Sequence, residues 1–416
     1  MIRKMFEAGF LRDISETVAT RLVLIVLGLI TSVLVARLLG PEGRGLFAIA
    51  AAIGAVGIQL GNAGIHSSNT YYVAQNRALL PTLLGNSLLI SLGMGISLIG
   101  VTAVTFTFYP QIAPLEGALL WFAFLWIPLG LFYLLLQNLL IGLEQFRYYN
   151  ITEIVTKVLY GVFIALLIWL HQVVVEWVYL AFMIAGVVGI IVLWRKLMLE
   201  SGPVNYSWSI FRQSLSFGVR AYLVALFSFL VMRIDLFMVE GILGLEATGH
   251  YSIAVTLADY VYMIPVVVGT ILFPKLSAMQ SKQEKWHFTK KLLFWFTPFI
   301  ALISFLAALL ADPLIRLLFG NAFVPAVEAF IWLLPAIIFL SINTVFMNYF
   351  ASLGMPLITL YSTVFATGVN VLGNWWLLPE LGIAGASIAS MIAYGIMLLI
   401  SIYYILYKKP YQEAEV

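Results

Sequence analysis

The 416-residue chain contains no cysteine, few charged residues (10%) and no Gly-Lys-Ser/Thr phosphate loop. Without cysteine there is neither a disulfide nor a thiolate metal site, although compartment is left open. Without a phosphate loop, direct ATP hydrolysis is not expected as an energy source. Charge this sparse is incompatible with a soluble domain of this size. The connections between apolar runs are short, and the longest, about Phe273 to Lys290, is too small for a catalytic domain. An enzyme acting on sugars at the membrane would need acid/base residues on a sizeable extramembrane loop, so no catalytic residues, cofactor or metal are expected. The ten-residue alternating segments of a closed barrel are also missing, which leaves helices.

What is present is apolar: 62% hydrophobic residues and a mean hydropathy of +1.03. Runs of about 20 apolar residues predict twelve spans, at about 17–39, 46–72, 83–108, 117–141, 152–170, 175–198, 214–240, 249–272, 291–311, 326–350, 357–378 and 383–406. The first run is long and followed by eleven others, which predicts a retained span rather than a cleaved leader. With the N-terminus inside, fifteen Lys and Arg fall on the inner connections and termini, against Arg37, Arg44 and Arg316 outside. This bias predicts a multi-pass membrane protein with both termini cytoplasmic. The net charge of +3 is then a topological signature and gives no support to nucleic-acid binding.

The segment Leu39–Ala50 (LGPEGRGLFAIA) returns 204 positions later as Leu243–Ala254 (LGLEATGHYSIA). Leu, Gly, Glu, Gly, Ile and Ala coincide, and Phe47 is matched by Tyr251. Each copy lies where one apolar run gives way to the next, so a helix–turn–helix unit is used twice. The polar stretch from Glu200 to Ser207 separates two sets of six spans. The expected organisation is an N-terminal lobe over 1–200, opened by an interfacial helix or plain lead-in at 1–15, a cytoplasmic linker at 201–213, and a C-terminal lobe over 214–416. Six is even, so the lobes enter the membrane in the same sense and are expected to be related by a pseudo-twofold axis along its normal.

The run Ala36–Phe47 (ARLLGPEGRGLF) between spans 1 and 2 resembles the start of Wzx-type polysaccharide flippases, in the polysaccharide-transport branch of the multidrug/oligosaccharidyl-lipid/polysaccharide exporter superfamily. Arg233–Met238 (RIDLFM) in span 7 is similar to a second feature of those proteins. The resemblance implies two pseudo-symmetric six-helix bundles around a central cavity. It also implies transfer of undecaprenyl-pyrophosphate-linked oligosaccharide repeat units to the outer leaflet, for O-antigen, lipopolysaccharide or related surface polysaccharide. The implied partners are that lipid-linked substrate, membrane lipids, and the polysaccharide polymerase and chain-length machinery.

Four cations fall inside spans: Arg21, Lys157, Arg220 and Arg233. Each costs roughly 2.5–3.5 kcal/mol at a helix centre, so each is expected to face a cavity, a partner or an interface. Under the resemblance, Arg21 and Arg220 are pyrophosphate ligands at corresponding helices, or else they snorkel to the headgroups. Arg233 is a deeper phosphate ligand, or it pairs with a carboxylate; Glu240 lies nearly on its face. Asp235 and Asp259 are candidates for coupling to a proton, to sodium or to the membrane potential, with a structural hydrogen bond as the rival reading. Glu153 and Lys157 have helical ion-pair spacing. Asn62 and His66 belong to a polar stretch ending span 2, which suits either sugar hydroxyls or polar contact between helices. Pro128, Pro265 and Pro335 are candidate kinks. Trp121 and Trp126 are candidate sugar-stacking residues, and most other tryptophans are read as an interfacial belt. A cation-coupled multidrug exporter of the same superfamily is the rival function, with a membrane polysaccharide polymerase or ligase behind it.

Overall fold

The computed structural model describes residues 8–217 and 219–411, with the side chains of 8–19, 21, 217 and 219–221 outside the description. Residues 1–7 of the expected interfacial helix, and the side chains of Arg21 and Arg220, therefore lie outside the described residues. The described chain is all-α with no strand. Ten helices are long and apolar enough to cross a membrane. The first, α1 (Ala8–Asn62), and the last, α14 (Ile358–Lys408), are each broken by one glycine, Gly40 (φ 68°) and Gly382 (φ 55°). Counting each of these as two spans turns ten into twelve. A positive φ is open to glycine and costs other L-residues roughly 1–2 kcal/mol. Pro41 follows Gly40 at the first position of the new helix, where its missing N–H costs nothing.

Lipid explains the surface. Ile96, Val101, Leu372 and Trp376 are all exposed, as expected of helices whose outer face meets hydrocarbon rather than water. Ser97 and Thr105 turn their hydroxyls back onto the carbonyls of Gly93 and Val101, which satisfies them without a partner helix.

The chain divides into two compact units. One takes in Met1–Leu39 and Ile49–Tyr222; the other takes in Gly40–Ala48 and Leu223–Val416.

The first unit is built on α4 (Gly117–Gly142), whose Leu131, Leu135, Leu136, Leu139 and Leu140 are fully buried. Around it pack α2 (Ile65–Gln75), α3 (Leu80–Phe108), α5 (Phe146–Trp169) and α6 (Val175–Ser201). Trp126 is 8% exposed. Its ring lies where a Cβ on Gly54, Gly130 or Gly186 would be, at 2.9, 3.1 and 2.2 Å. It is a core residue held by three glycines, which corrects its candidacy for sugar stacking. The stretch read as a linker is strapped to this unit. Asn86 exchanges two hydrogen bonds with the Ser207 backbone, and the Ser68 hydroxyl donates to the Ser214 carbonyl at 2.6 Å. The second half of that stretch is helical, in α7 (Trp208–Phe217). Glu153 accepts from Tyr133 (2.8 Å) and Gln137 on α4. No Glu153–Lys157 pair occurs among the described ion pairs, so the expected intrahelical bridge is replaced by hydrogen bonds between helices.

The second unit contains α8 (Val219–Leu230, its last turns), α9 (Ile234–Leu243), α10 (Leu245–Ala278), α11 (Lys282–Leu309), the short α12 (Ala311–Leu318), α13 (Ala326–Ser352) and α14. Its core is α13, packed on α10, α11 and α14. The first corner, Gly40–Ala48, belongs here beside its own repeat. Gly40 and Gly244 share one conformation (φ 68°, ψ −177° and φ 84°, ψ −179°), so the repeated sequence is a repeated backbone. A Cβ on Gly45 would lie 2.0 Å from the Leu245 carbonyl oxygen, and one on Gly249 would lie 1.8 Å from that of Pro41. These contacts are reciprocal, because Leu245 and Gly249 are the repeat partners of Pro41 and Gly45. Arg44, expected on an outer connection, is buried and donates to Ser252 (3.2 Å) and Thr256 (3.3 Å) on α10. The helices continue through Pro128, Pro265 and Pro335; the helical backbone breaks at Gly40, Gly382 and the two sites below.

Candidate functional site

Each unit contains a membrane helix interrupted in mid-span, and the predicted polar residues gather at the interruptions. In the first unit, α1 stops at Asn62 and α2 resumes at Ile65. Ala63 (φ 46°) and Gly64 (φ 82°) lie between them in the left-handed region. Such backbone is costly for alanine and is tolerated at membrane depth only where the freed polar groups find partners. The Tyr222 hydroxyl lies 3.0 Å from the Leu60 carbonyl and 3.3 Å from that of Gln59. Asn62, 1% exposed, faces the His66 ring nitrogen Nδ1 at 2.6 Å and accepts from the His66 backbone N–H. Ser67 lies 3.0 Å from the other ring nitrogen. The two predicted residues are therefore brought together, engaged with each other across the break.

In the second unit, α8 ends at Leu230 and α9 starts at Ile234, with a turn over 231–233. The expected continuous span 7 is thus interrupted beside its charges. Hydroxyls of α14 reach two carbonyls beside the break: Thr367 donates to Phe227, which also accepts the Val231 N–H, and Tyr394 donates to Val231, both at 3.3 Å. Arg233, at the N-cap of α9, donates to Asp259 on α10 at 2.7 Å. Their side chains are 27% and 34% exposed. The partner is Asp259 rather than Glu240, because the break turns Arg233 off the regular helical face that seven-residue spacing assumes.

Asp235 lies in the first turn of α9 and is 2% exposed. It accepts from the Tyr251 hydroxyl at 2.5 Å, from the Leu236 N–H at 2.9 Å and from Ser390 at 3.4 Å. Ser390 also accepts from Asn370 (3.1 Å), and Asn374 donates to Asn370 (3.0 Å). The Asn374 Oδ1 is buried without a hydrogen-bond partner among the described residues. Asp235, Ser390, Asn370 and Asn374 thus form a hydrogen-bonded chain ending in one open acceptor. Among the described residues there is no cluster of three or more His, Cys, Asp or Glu that could hold a metal.

Sequence reasoning missed Tyr222, Thr367 and Tyr394, whose hydroxyls reach backbone carbonyls beside the breaks, and Tyr251 and Ser390, which hold the Asp235 carboxylate. The intramembrane pair Asn370 and Asn374, four residues apart, was a readable signal for that face of α14.

An all-α membrane bundle with two interrupted helices and internal charge has the fold of known exporters and flippases. It is similar to a multidrug resistance MATE family transporter of the MOP superfamily in an inward-facing conformation, with a TM-score of 0.74 at 15% identity, covering 94% of this chain and 96% of that one. It is also similar to the lipid II flippase MurJ in an inward closed conformation, with a TM-score of 0.73 at 13% identity, covering 94% of this chain and 88% of that one. By sequence it is 24% identical over 282 residues to an uncharacterized membrane protein of Methanocaldococcus jannaschii. That match takes in 65% of this chain and only 55% of the relative's length. The family model described as polysaccharide biosynthesis protein matches residues 10–280, and the chain belongs to that family.

Proposed function

We propose that the protein is a flippase carrying undecaprenyl-pyrophosphate-linked oligosaccharide repeat units from the inner to the outer leaflet of a bacterial cytoplasmic membrane, for surface polysaccharides such as O-antigen. The observation that carries this reading is the Arg233–Asp259 pair at an interrupted helix, in a member of a polysaccharide biosynthesis family. Discontinuous membrane helices characteristically expose polar backbone and charge to substrate. A guanidinium gives a pyrophosphate planar, multidentate contacts. The head group, more highly charged than a carboxylate, displaces Asp259 from Arg233, while the isoprenoid stays in lipid. Arg21 and Arg220 assist at the inner end of the path, and Asn62 and His66 bind sugar hydroxyls. No bond is made or broken.

Asp259, once released, and Asp235 are the candidates for the coupling charge. The oxygen set of Asp235, Ser390, Asn370 and Asn374 suits a proton or a hard monovalent cation such as sodium. The polymerase and chain-length machinery are proposed partners downstream, and both termini are proposed to be cytoplasmic.

Transport of defined lipid-linked oligosaccharides in proteoliposomes tests the reading. Arg233→Ala is expected to lower the rate at least tenfold and Arg233→Lys by less. Folded Arg233→Ala protein transporting at the wild-type rate overturns the basic-site mechanism. The buried carboxylate of Asp235 favours one rival, a cation-coupled multidrug exporter. Proton- or sodium-driven transport of organic cations, with no movement of lipid-linked sugar, would establish it instead.

A further inference from the structure

At one end of the second unit α10 ends, α11 begins and α14 ends. Seven lysines lie there, between 275 and 291 and at 408–409, against a single acid, Glu284, among the described residues. Some have structural work. Lys285 is buried and donates to the Ser352 carbonyl at the end of α13 (2.9 Å), where a cation also opposes the negative end of the helix dipole. Lys275 lies over the Phe288 ring at 4.3 Å. Lys290 and His287 are exposed and have no hydrogen-bond or ion-pair partner among the described residues; Lys290 only approaches the Trp286 ring, at 5.8 Å.

These two groups line a cavity of about 440 Å³ together with Gln283, Trp286 and Tyr411. The four α11 residues recur at i, i+3, i+4 and i+7, one helical face. Tyr411, beyond the end of α14, stacks on Trp286 with centroids 5.5 Å apart and planes 11° from parallel. Trp286 also packs on Tyr349, which is wholly buried in the core cluster. The aromatic wall is therefore anchored in the protein interior, while the cationic side stays free.

Depth selects the ligand. The apolar run of α11 starts near Leu292, and a helix rises about 1.5 Å per residue. Lys290 and His287 consequently lie roughly 3–8 Å outside the hydrocarbon. The headgroup zone is about 5–8 Å thick on each side. Two cationic or hydrogen-bonding groups, an amide and an aromatic wall meet there at the level of lipid phosphates, which anionic lipids enrich around basic segments.

We infer that this cavity binds the phosphate-ester headgroup of an anionic membrane lipid, held by Lys290, His287 and Gln283 against the Trp286–Tyr411 wall. The site is separate from the interrupted helices, and its readout is binding rather than transport, so it stands or falls apart from the flippase reading. The test is equilibrium binding of short-chain lipids to the purified full-length protein in detergent. Dioctanoyl-phosphatidylglycerol is expected to bind at least tenfold more tightly than dioctanoyl-phosphatidylcholine. His287→Gln/Lys290→Gln is expected to lower the phosphatidylglycerol affinity at least fivefold without moving the thermal midpoint, because both residues are exposed. Lys282→Gln, outside the cavity, is expected to leave it unchanged. The proposal is overturned by an unchanged affinity in the double variant, or by an equal loss in Lys282→Gln, which would indicate a diffuse basic surface. Glycerol phosphate binding as tightly as the lipid overturns the lipid assignment. Binding that emerges only in Glu413→Gln/Glu415→Gln assigns the cavity to the chain's own acidic tail and overturns it as well.

Discussion

At the residue scale, Arg233 and Asp259 hold each other in place, and removing one strands the other. A fully buried pair broken on one side costs about 3–5 kcal/mol. Here both groups are a quarter to a third exposed, so about 1–3 kcal/mol is expected for Arg233→Ala. Arg233→Gln/Asp259→Asn is expected to recover most of that stability, since neither charge is left unpaired, but none of the transport. A thermal-unfolding series beside the transport assay separates the two effects. If the double variant transported normally, the pair would be purely structural. Asp235 differs because it accepts three hydrogen bonds and is almost wholly enclosed. Tyr251→Phe deletes the shortest of them, and hydrogen bonds to charged groups are worth about 1.5–3 kcal/mol. A loss of that size is expected in detergent melts, and an unchanged melting temperature would mean that the hydroxyl bonds elsewhere. Serving as a coupling group makes a further demand on Asp235: Asp235→Asn should remove the dependence of transport on the ion gradient while the protein still folds.

At the element scale, the repeated corner is the feature that sequence described best and explained least. Gly40, Gly45, Gly244 and Gly249 were visible as coincident positions, and the long apolar runs were visible because lipid imposes a minimum length. Contact between the two corners was not legible, since nothing local in Leu39–Ala50 states that its neighbour lies 204 residues away. The helix breaks were equally hidden. Arg233 was recognised as costly in a membrane, but its partner was sought along an unbroken helix, and the turn over 231–233 rests on hydroxyls from distant Thr367 and Tyr394. Asn62 and His66 were legible as polar residues, whereas Ala63 in the left-handed region carries no sequence signal at all. A prediction follows for the corners. Gly45→Ala and Gly249→Ala each place a methyl about 2 Å from a backbone oxygen that cannot rotate away, and overpacking of this kind costs typically about 1–3 kcal/mol and occasionally more. Gly100→Ala, with nothing within 4 Å of the new atom, is expected to be neutral or stabilising by up to about 1 kcal/mol. Thermal stability of the three purified variants checks the contrast, and equal melting temperatures would mean that the corners separate readily.

At the scale of the whole molecule, the expected topology rests on the bias of fifteen Lys and Arg against three. On the sparse side, Arg44 is buried against Ser252 and Thr256, and Arg316 bonds Asp312 at 2.8–2.9 Å and Asn321 at 3.3 Å. The chain has no native cysteine, so orientation can be read without first removing any thiol. Arg316 is suited to the outer probe, because its pair with Asp312 is about half exposed on both sides and pairs of that kind are worth less than about 1 kcal/mol. Lys282 and Tyr206, both exposed, serve for the inner side. A membrane-impermeant maleimide applied to intact cells is expected to modify Arg316→Cys but neither Lys282→Cys nor Tyr206→Cys; those two should react only after permeabilisation. The reverse pattern would invert the proposed topology and, with it, the direction in which the proposed flippase moves its substrate. Labelling of all three from one side would break the even span count, and a twelve-span chain with both ends on the same face could no longer be maintained.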